Sequence, residues 1–199
     1  MTRTSIPMPD EPVMLPKERP DLGARLARGD EQAFDEVVRR YQGDVARFVR
    51  RLLGWRDGGE CDDLVQEVFV QVYLKRHTFR GDSAVKSWLT RIAVNQVRDF
   101  QRRRMAGLQA LKRLILRRPR EVAPPAAEVD ETADRVRHAV RKLAARDREI
   151  IVLHYLEELP LAEVARIVGA KEGTVSVRLY RARKTLARLL GSFGETHGA

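Results

Sequence analysis

Apolar residues recur every three or four positions along most of the chain, and this spacing limits the possible folds more than any other feature. Phe34, Val37, Val38, Tyr41, Val45, Phe48, Val49 and Leu52 form the clearest stripe, which at 3.6 residues per turn lies on one helical face. Asp30 precedes it where an N-cap belongs, its carboxylate suited to the unpaired amides of a first turn. Gly54, Gly58 and Gly59 end the pattern. Val65, Val68, Phe69 and Val72 predict a second helix after residues 60–63. Val85, Trp88, Leu89, Ile92, Ala93, Val97 and Phe100 predict a third, capped by Asp82 or Ser83. Three such stripes can close one small core. β-branched residues rarely alternate with polar ones and aromatics are only 6%, so the expected fold class is all-α.

Beyond this first core the composition changes. Residues 98–120 hold nine basic side chains against Asp99 alone. Pro119, Pro124 and Pro125 follow, then Glu128, Asp130, Glu131 and Asp134. A basic run, a proline break and an acidic run mark a linker, although Leu108, Leu111 and Ile115 are spaced for one face of a further helix. Helical spacing then resumes. Val152, Tyr155, Leu156 and Leu159 are expected to line one helix, and Leu161, Val164, Ala165 and Val168 the next, with Gly169 as its stop. Val175, Leu179, Ala182 and Leu186 line a third. The expected organisation is a flexible N-terminal extension (1–22), a helical domain (23–104), a flexible linker (105–132), a second helical domain (133–191) and a short tail (192–199).

Net charge is +10, from 38 Lys and Arg against 28 Asp and Glu. Such a surplus points to a polyanionic partner, nucleic acid or an anionic membrane. No stretch is apolar enough to span a bilayer, so no membrane insertion is expected. The first twenty residues carry Pro7, Pro9, Pro12, Pro16 and Pro20 and lack the apolar core of a secretory signal. A single cysteine, Cys61, excludes an internal disulfide and fits a reducing, cytoplasmic compartment. His77, His138, His154 and His197 are scattered without metal-ligand spacing. Neither metal nor cofactor is expected.

The strongest local signal is residues 161–184. A short helix stops at Gly169, the chain turns, and a basic helix begins near Glu172. This is helix-turn-helix spacing, with Ala165 small enough for close helix packing and Val175 as the anchor. Lys171, Thr174, Ser176, Arg178, Arg181, Arg183 and Lys184 supply the exposed side. Arginine can bind guanine bidentately, worth ~1–3 kcal/mol of discrimination. An ordinary helical hairpin with a solvated basic face is the plainer reading, and the combination of features favours DNA.

Three weaker signals lie in the first domain. Arg91, Asn95, Arg98 and Arg102 recur at intervals of four, three and four, forming one stripe opposite the core that can track phosphates. Phe79, Arg80, Gly81, Asp82 and Ser83, with Trp88 a turn beyond, offer stacking and hydrogen-bonding groups for an unstacked base. Alternatively Phe79 and Trp88 are core residues and Asp82 is a cap; for Trp88 the core reading is preferred. Finally, Asp62 and Asp63 start a helix, where the macrodipole favours carboxylates. A metal-dependent nuclease using Glu60, Asp62, Asp63 and Glu67 would need further convergent ligands, and none is evident. No catalytic site is expected.

These segments together resemble the sigma-70 family of bacterial sigma factors, specifically its extracytoplasmic-function (ECF) group. The likeness covers residues 24–190. It rests on Gly29-Asp30 with Ala33-Phe34, on Asp62-Asp63-Leu64-Val65-Gln66-Glu67-Val68-Phe69, on Phe79-Arg80-Gly81-Asp82-Ser83, and on Ser87-Trp88-Leu89-Thr90-Arg91-Ile92-Ala93-Val94-Asn95. Arg148-Glu149-Ile150, Gly173-Thr174-Val175 and Arg178-Leu179-Tyr180-Arg181-Ala182-Arg183 continue it in the second domain. The resemblance implies a subunit that binds RNA polymerase core, through its β and β′ subunits, and directs initiation at promoter DNA. Asp62, Asp63, Leu64, Gln66, Glu67 and Phe69 would contact core. Residues 79–83 with Arg91, Asn95, Arg98 and Arg102 would melt and hold the minus-ten element. Lys171, Glu172, Thr174, Ser176, Arg178, Arg181, Arg183 and Lys184 would read the minus-thirty-five element, and an anti-sigma protein is an implied partner. Ser176-Val177 stands where many relatives carry a basic residue followed by Ser, so the bases read there are expected to differ. The competing identity is a free-standing helix-turn-helix transcriptional regulator.

Overall fold

A computed structural model describes residues 22–55, 59–80, 84–114 and 131–191, and all its regular elements are helical. In the first half α1 (Leu22–Ala27) and α2 (Glu31–Leu52) meet at Asp30. The Asp30 side chain accepts the Ala33 amide at 3.1 Å and the Arg25 Nε–H at 2.8 Å. Those two hydrogen bonds, that from Arg25 foremost, hold the Asp30 carboxyl below the usual carboxylate range. The chain leaves α2 through Gly54, whose φ of +77° is a left-handed turn that favours glycine. α3 (Gly59–Lys75) and α4 (Val85–Leu114) complete the core, with Val37, Val49, Val68, Val72, Leu89 and Val94 at its centre.

α4 runs unbroken to Leu114, past the point where the linker was expected to begin. Met105, Ala106, Leu108, Gln109, Ala110 and Leu111 are strong helix formers, and no proline interrupts before Pro119. Arg98, Arg102, Arg103 and Arg104 of the basic run are therefore carried on this helix, the last three exposed. Arg103 and Arg104 tie it to α3 through Glu67 at 2.9 Å and Glu60 at 2.6 Å. The central linker residues 115–130, the N-terminal extension and the tail lie outside the described residues.

The second half contains α5 (Glu131–Lys142), α6 (Ala145–Ile151), α7 (Leu161–Val168) and α8 (Glu172–Gly191). Ile150, Ile151, Val152 and Leu153 are all buried, so the chain there is surrounded on every side. A π-helical turn over Val152–Leu156 then follows. It corrects the expectation that Tyr155 and Leu156 line the core. Both are exposed, Tyr155 at 47%, because the wider turn rotates them away from the positions a 3.6-residue period assigns.

The two halves touch, and their buried residues form one continuous cluster. α4 packs on α7, and α2 packs on α6 and the π-helical turn. Two arginines cross this seam, Arg51 to Glu157 at 2.7 Å and Arg98 to Glu149 at 2.6 Å.

Candidate nucleic-acid interface

Helix α7 closes on Gly169, whose φ of +68° and ψ of +41° put it in the left-handed region, its amide donating to the Ala165 carbonyl. α8 begins three residues later, at Glu172, and the Lys171 carbonyl accepts the amides of Thr174 and Val175 at 2.9 and 3.1 Å. Val164, Ala165 and Ile167 bury against Val175, Leu179 and Ala182. Two helices joined by so tight a turn and held by a small-residue contact form a helix-turn-helix. Its hydrophobic lock leaves the opposite side of α8 open.

At 100° per residue, Gly173, Val177, Lys184 and Arg188 lie farthest from the buried line, flanked by Tyr180 and Arg181, and all six are exposed. Lys171, Glu172, Thr174, Ser176, Arg183 and Lys184 are also exposed, as expected. Lys184 Nζ stands 5.1 Å from the Tyr180 ring centroid. Arg178 instead lies on the flank, partly buried, with its Nε 4.0 Å from Asp147. Val177 and Tyr180 were missed in the sequence because attention to cations passes over the apolar residues between them. Their position opposite Val175 and Leu179 was the available signal.

The α4 stripe is present but unequal. Arg91, Asn95 and Arg102 are exposed, and Arg102 pairs with Asp99 one turn back. Arg98 is turned into the seam between the halves. Its Nε and Nη2 donate to the two Glu149 carboxylate oxygens at 3.0 and 2.6 Å, and Nη1 and Nη2 both reach the Val168 carbonyl at 3.3 Å. Of the candidate base-capturing loop, Arg80 is exposed, while Gly81, Asp82 and Ser83 lie outside the described residues. Phe79 is a correction. It is buried, edge-on to Trp88 at a 5.5 Å centroid separation and 65° between planes, so both aromatics are core and neither offers a free stacking face.

Along α3, Asp62, Asp63, Gln66 and Glu67 share an outer face with Val70, Tyr73 and Leu74, which sequence reading passed over. Val70 is 56% exposed, and the Tyr73 ring rests edge-on against Phe34 at 5.1 Å. Leu64, expected on the docking face, is instead fully buried, and Phe69 is half-buried against the core. Glu60 and Glu67 are engaged by arginines rather than converging with Asp62 and Asp63. Among the described residues no group of three or more His, Cys, Asp or Glu is placed to hold a metal, and no helix is long and apolar enough to cross a membrane.

A helix-turn-helix with an open cationic face, set beside a second helical domain that carries its own basic stripe, defines a two-domain DNA-binding protein. Residues 37–106 match the family model for Sigma-70 region 2, and residues 133–186 match Sigma-70, region 4. The ECF RNA polymerase sigma factor SigM of Mycobacterium tuberculosis is 38% identical over 170 residues, 85% of this chain and 83% of that protein. The ECF RNA polymerase sigma-E factor of Escherichia coli (strain K12) is 33% identical, over 83% of this chain and 90% of its own length. Among solved structures, CnrH in complex with the cytosolic domain of CnrY aligns with a TM-score of 0.62 at 28% identity, covering 87% of this chain and 97% of that one. The sigma factor RpoE of Bartonella quintana, in complex with the anti-sigma factor NepR, shares the fold with a TM-score of 0.64 at 24% identity, covering 80% of this chain and 98% of that one. The chain belongs to the sigma-70 family, in its ECF group, and directs promoter-specific initiation by RNA polymerase. A free-standing regulator is not favoured, since region 2 matches as well as the helix-turn-helix.

Proposed function

We propose that α8 reads the minus-thirty-five element while α4 and the loop before it hold the melted minus-ten strand. The supporting observation is that the outward line of α8, from Gly173 through Val177 and Tyr180 to Lys184, is open along its whole length. An α-helix of this kind fits a major groove. In this reading Arg181 and Lys184 are the central cations, with Thr174 and Ser176 as hydrogen-bonding flanks and Lys171, Arg178 and Arg183 on phosphates. Arg80, Arg91, Asn95, Arg98 and Arg102 follow the single strand. The assignment covers a promoter-melting domain at 23–104, extended by the rest of α4, and an upstream-element domain at 133–191.

Core polymerase is assigned to the outer face of α3. Gln66, Glu67, Val70, Tyr73 and Leu74 form a mixed polar and apolar surface suited to a protein partner, with Asp62 and Asp63 at its N-terminal end. The partner surfaces are those of the β and β′ subunits. The chain works in the cytoplasm, carries no catalytic site of its own, and is restrained by an anti-sigma protein. Reconstituted transcription with purified core tests the reading: added chain should produce start sites that core alone does not. Arg181→Ala should lose dependence on the upstream element, and retention of that dependence would remove α8 from base reading.

A further inference from the structure

Each of the two arginines that cross the seam makes the same pair of contacts. Arg98 from α4 binds the Glu149 carboxylate and the carbonyl of Val168, the last residue of α7. Arg51 from α2 binds the Glu157 carboxylate at 2.7 Å and the carbonyl of Leu156, the last residue of the π-helical turn, at 3.2 Å. The final carbonyls of a helix have no partner inside it and carry the negative end of its dipole. At both places an arginine of the first half supplies that missing donor and neutralises an adjacent carboxylate. Glu149 is the most sequestered acid of the seam, with its side chain 8% exposed against 33% for Arg98.

We propose that these two pins form a latch that holds the free protein closed, and that DNA opens it by taking Arg98 from Glu149. The inference rests on the strand-tracking role assigned to Arg98 above. The four bonds Arg98 makes here occupy four of the five hydrogens its guanidinium can donate. One hydrogen is left, so Arg98 cannot offer a phosphate a bidentate pair while it holds Glu149 and Val168. A closed molecule also cannot serve both promoter elements, because positions named about 25 base pairs apart are separated by about 85 Å of duplex. α7 and α4 are in contact here. The latch is reversible on chemical grounds. Both arginines are partly exposed, and both helix-end carbonyls can return to water when the halves part, leaving no buried group unsatisfied.

The full-length chain is tested by small-angle X-ray scattering and by binding to a fluorescein-labelled single-stranded DNA of mixed sequence, with far-UV circular dichroism as the check on folding. Wild type should scatter as a compact particle at low salt. Glu149→Gln combined with Arg51→Gln should expand it at unchanged helicity. Glu149→Gln, with the Arg51 pin still in place, should also tighten strand binding, by at most the inverse of the open fraction, about tenfold where one molecule in ten is open. Arg98→Gln should expand the particle yet weaken strand binding. An extended wild type, or a Glu149→Gln/Arg51→Gln variant as compact as wild type, overturns the latch whatever the promoter role of Arg98. Expansion without any gain in strand binding overturns the exchange and the strand role together, while the seam contacts stand.

Discussion

Gly23 is the position where a single added carbon should do most to test the first core. A Cβ built there overlaps the Phe79 ring at Cε1 and stands 3.0 Å from Cζ and 3.2 Å from Cδ1. Phe79 has little room to retreat, because its far side meets Trp88. Forcing a methyl into such a contact costs ~1–3 kcal/mol. Alanine also has the better helix propensity, up to ~1 kcal/mol over glycine. Gly23→Ala should therefore destabilise the chain by up to about 2 kcal/mol, the balance of the two effects. In a Phe79→Leu background the ring is gone and only the propensity gain remains, so the same substitution should become neutral or stabilising. Urea unfolding followed by tryptophan fluorescence, with Trp88 beside the perturbed ring, measures all four corners of this double-mutant cycle. Additive costs would refute the packing of α1 against Phe79. The cycle also bears on function: if Phe79 is core and not a base platform, Phe79→Leu should leave single-strand affinity intact once the chain is folded.

Other expectations are narrower. Gly169 has nothing within 4 Å of a built Cβ but a φ of +68°, so Gly169→Ala should cost only the left-handed conformation, ~1–2 kcal/mol, and Gly169→Asn visibly less; equal costs in urea unfolding would argue against this turn. Val177 at the outermost line of α8 should contact a thymine methyl, so replacing that thymine by uracil should weaken upstream-element binding about fourfold, from ~0.8 kcal/mol per buried carbon; Val177→Ala should abolish the difference, and a uracil scan without effect would exclude the contact. Burial, reinforced by Lys142 and Arg141, holds His138 below its ordinary pKa of 6.5. The unfolded chain then takes up the proton first, so His138 lowers stability as pH falls from 6.5 through the folded value. Thermal melting midpoints of wild type and His138→Gln should diverge from their neutral-pH difference across that window, with wild type losing more.

Local periodicity made the cores of both halves readable before any coordinates. Val37, Tyr41, Val45, Phe48, Val49 and Leu52 are buried as their spacing requires, and Asp30 caps as its position requires. Gly169 and Val175 likewise fix the helix-turn-helix from sequence alone. Reading failed wherever the outcome depended on something non-local or on a break in period. Tyr155 and Leu156 were assigned inward on a period the π-helical turn does not keep. Phe79 was ambiguous because an aromatic in a loop can stack on a base or on its own core, and only the approach of α1 decides. Leu64 sits among docking candidates, yet its place on the Cys61, Val68 and Val72 side of α3 turns it inward.

Arg98 shows the limit most clearly. Its spacing put it on one helix face with Arg91, Asn95 and Arg102, but nothing within reach of α4 in sequence announces Glu149 or the end of α7. Their meeting depends on how two separately encoded helical bodies dock. The net charge of +10 suits the chain to DNA and opposes its own compaction, since like charges repel across a seam as they do anywhere else. Glu149 and Glu157 offset that repulsion where the arginines cross. A helix-end carbonyl beside each carboxylate adds a second acceptor without another charged side chain. Removing either carboxylate should therefore shift the open–closed balance toward DNA, whereas adding acidic residues elsewhere on the surface would lower net charge without holding an arginine. The seam thus makes position, rather than overall charge, the quantity that sets how readily this sigma factor opens.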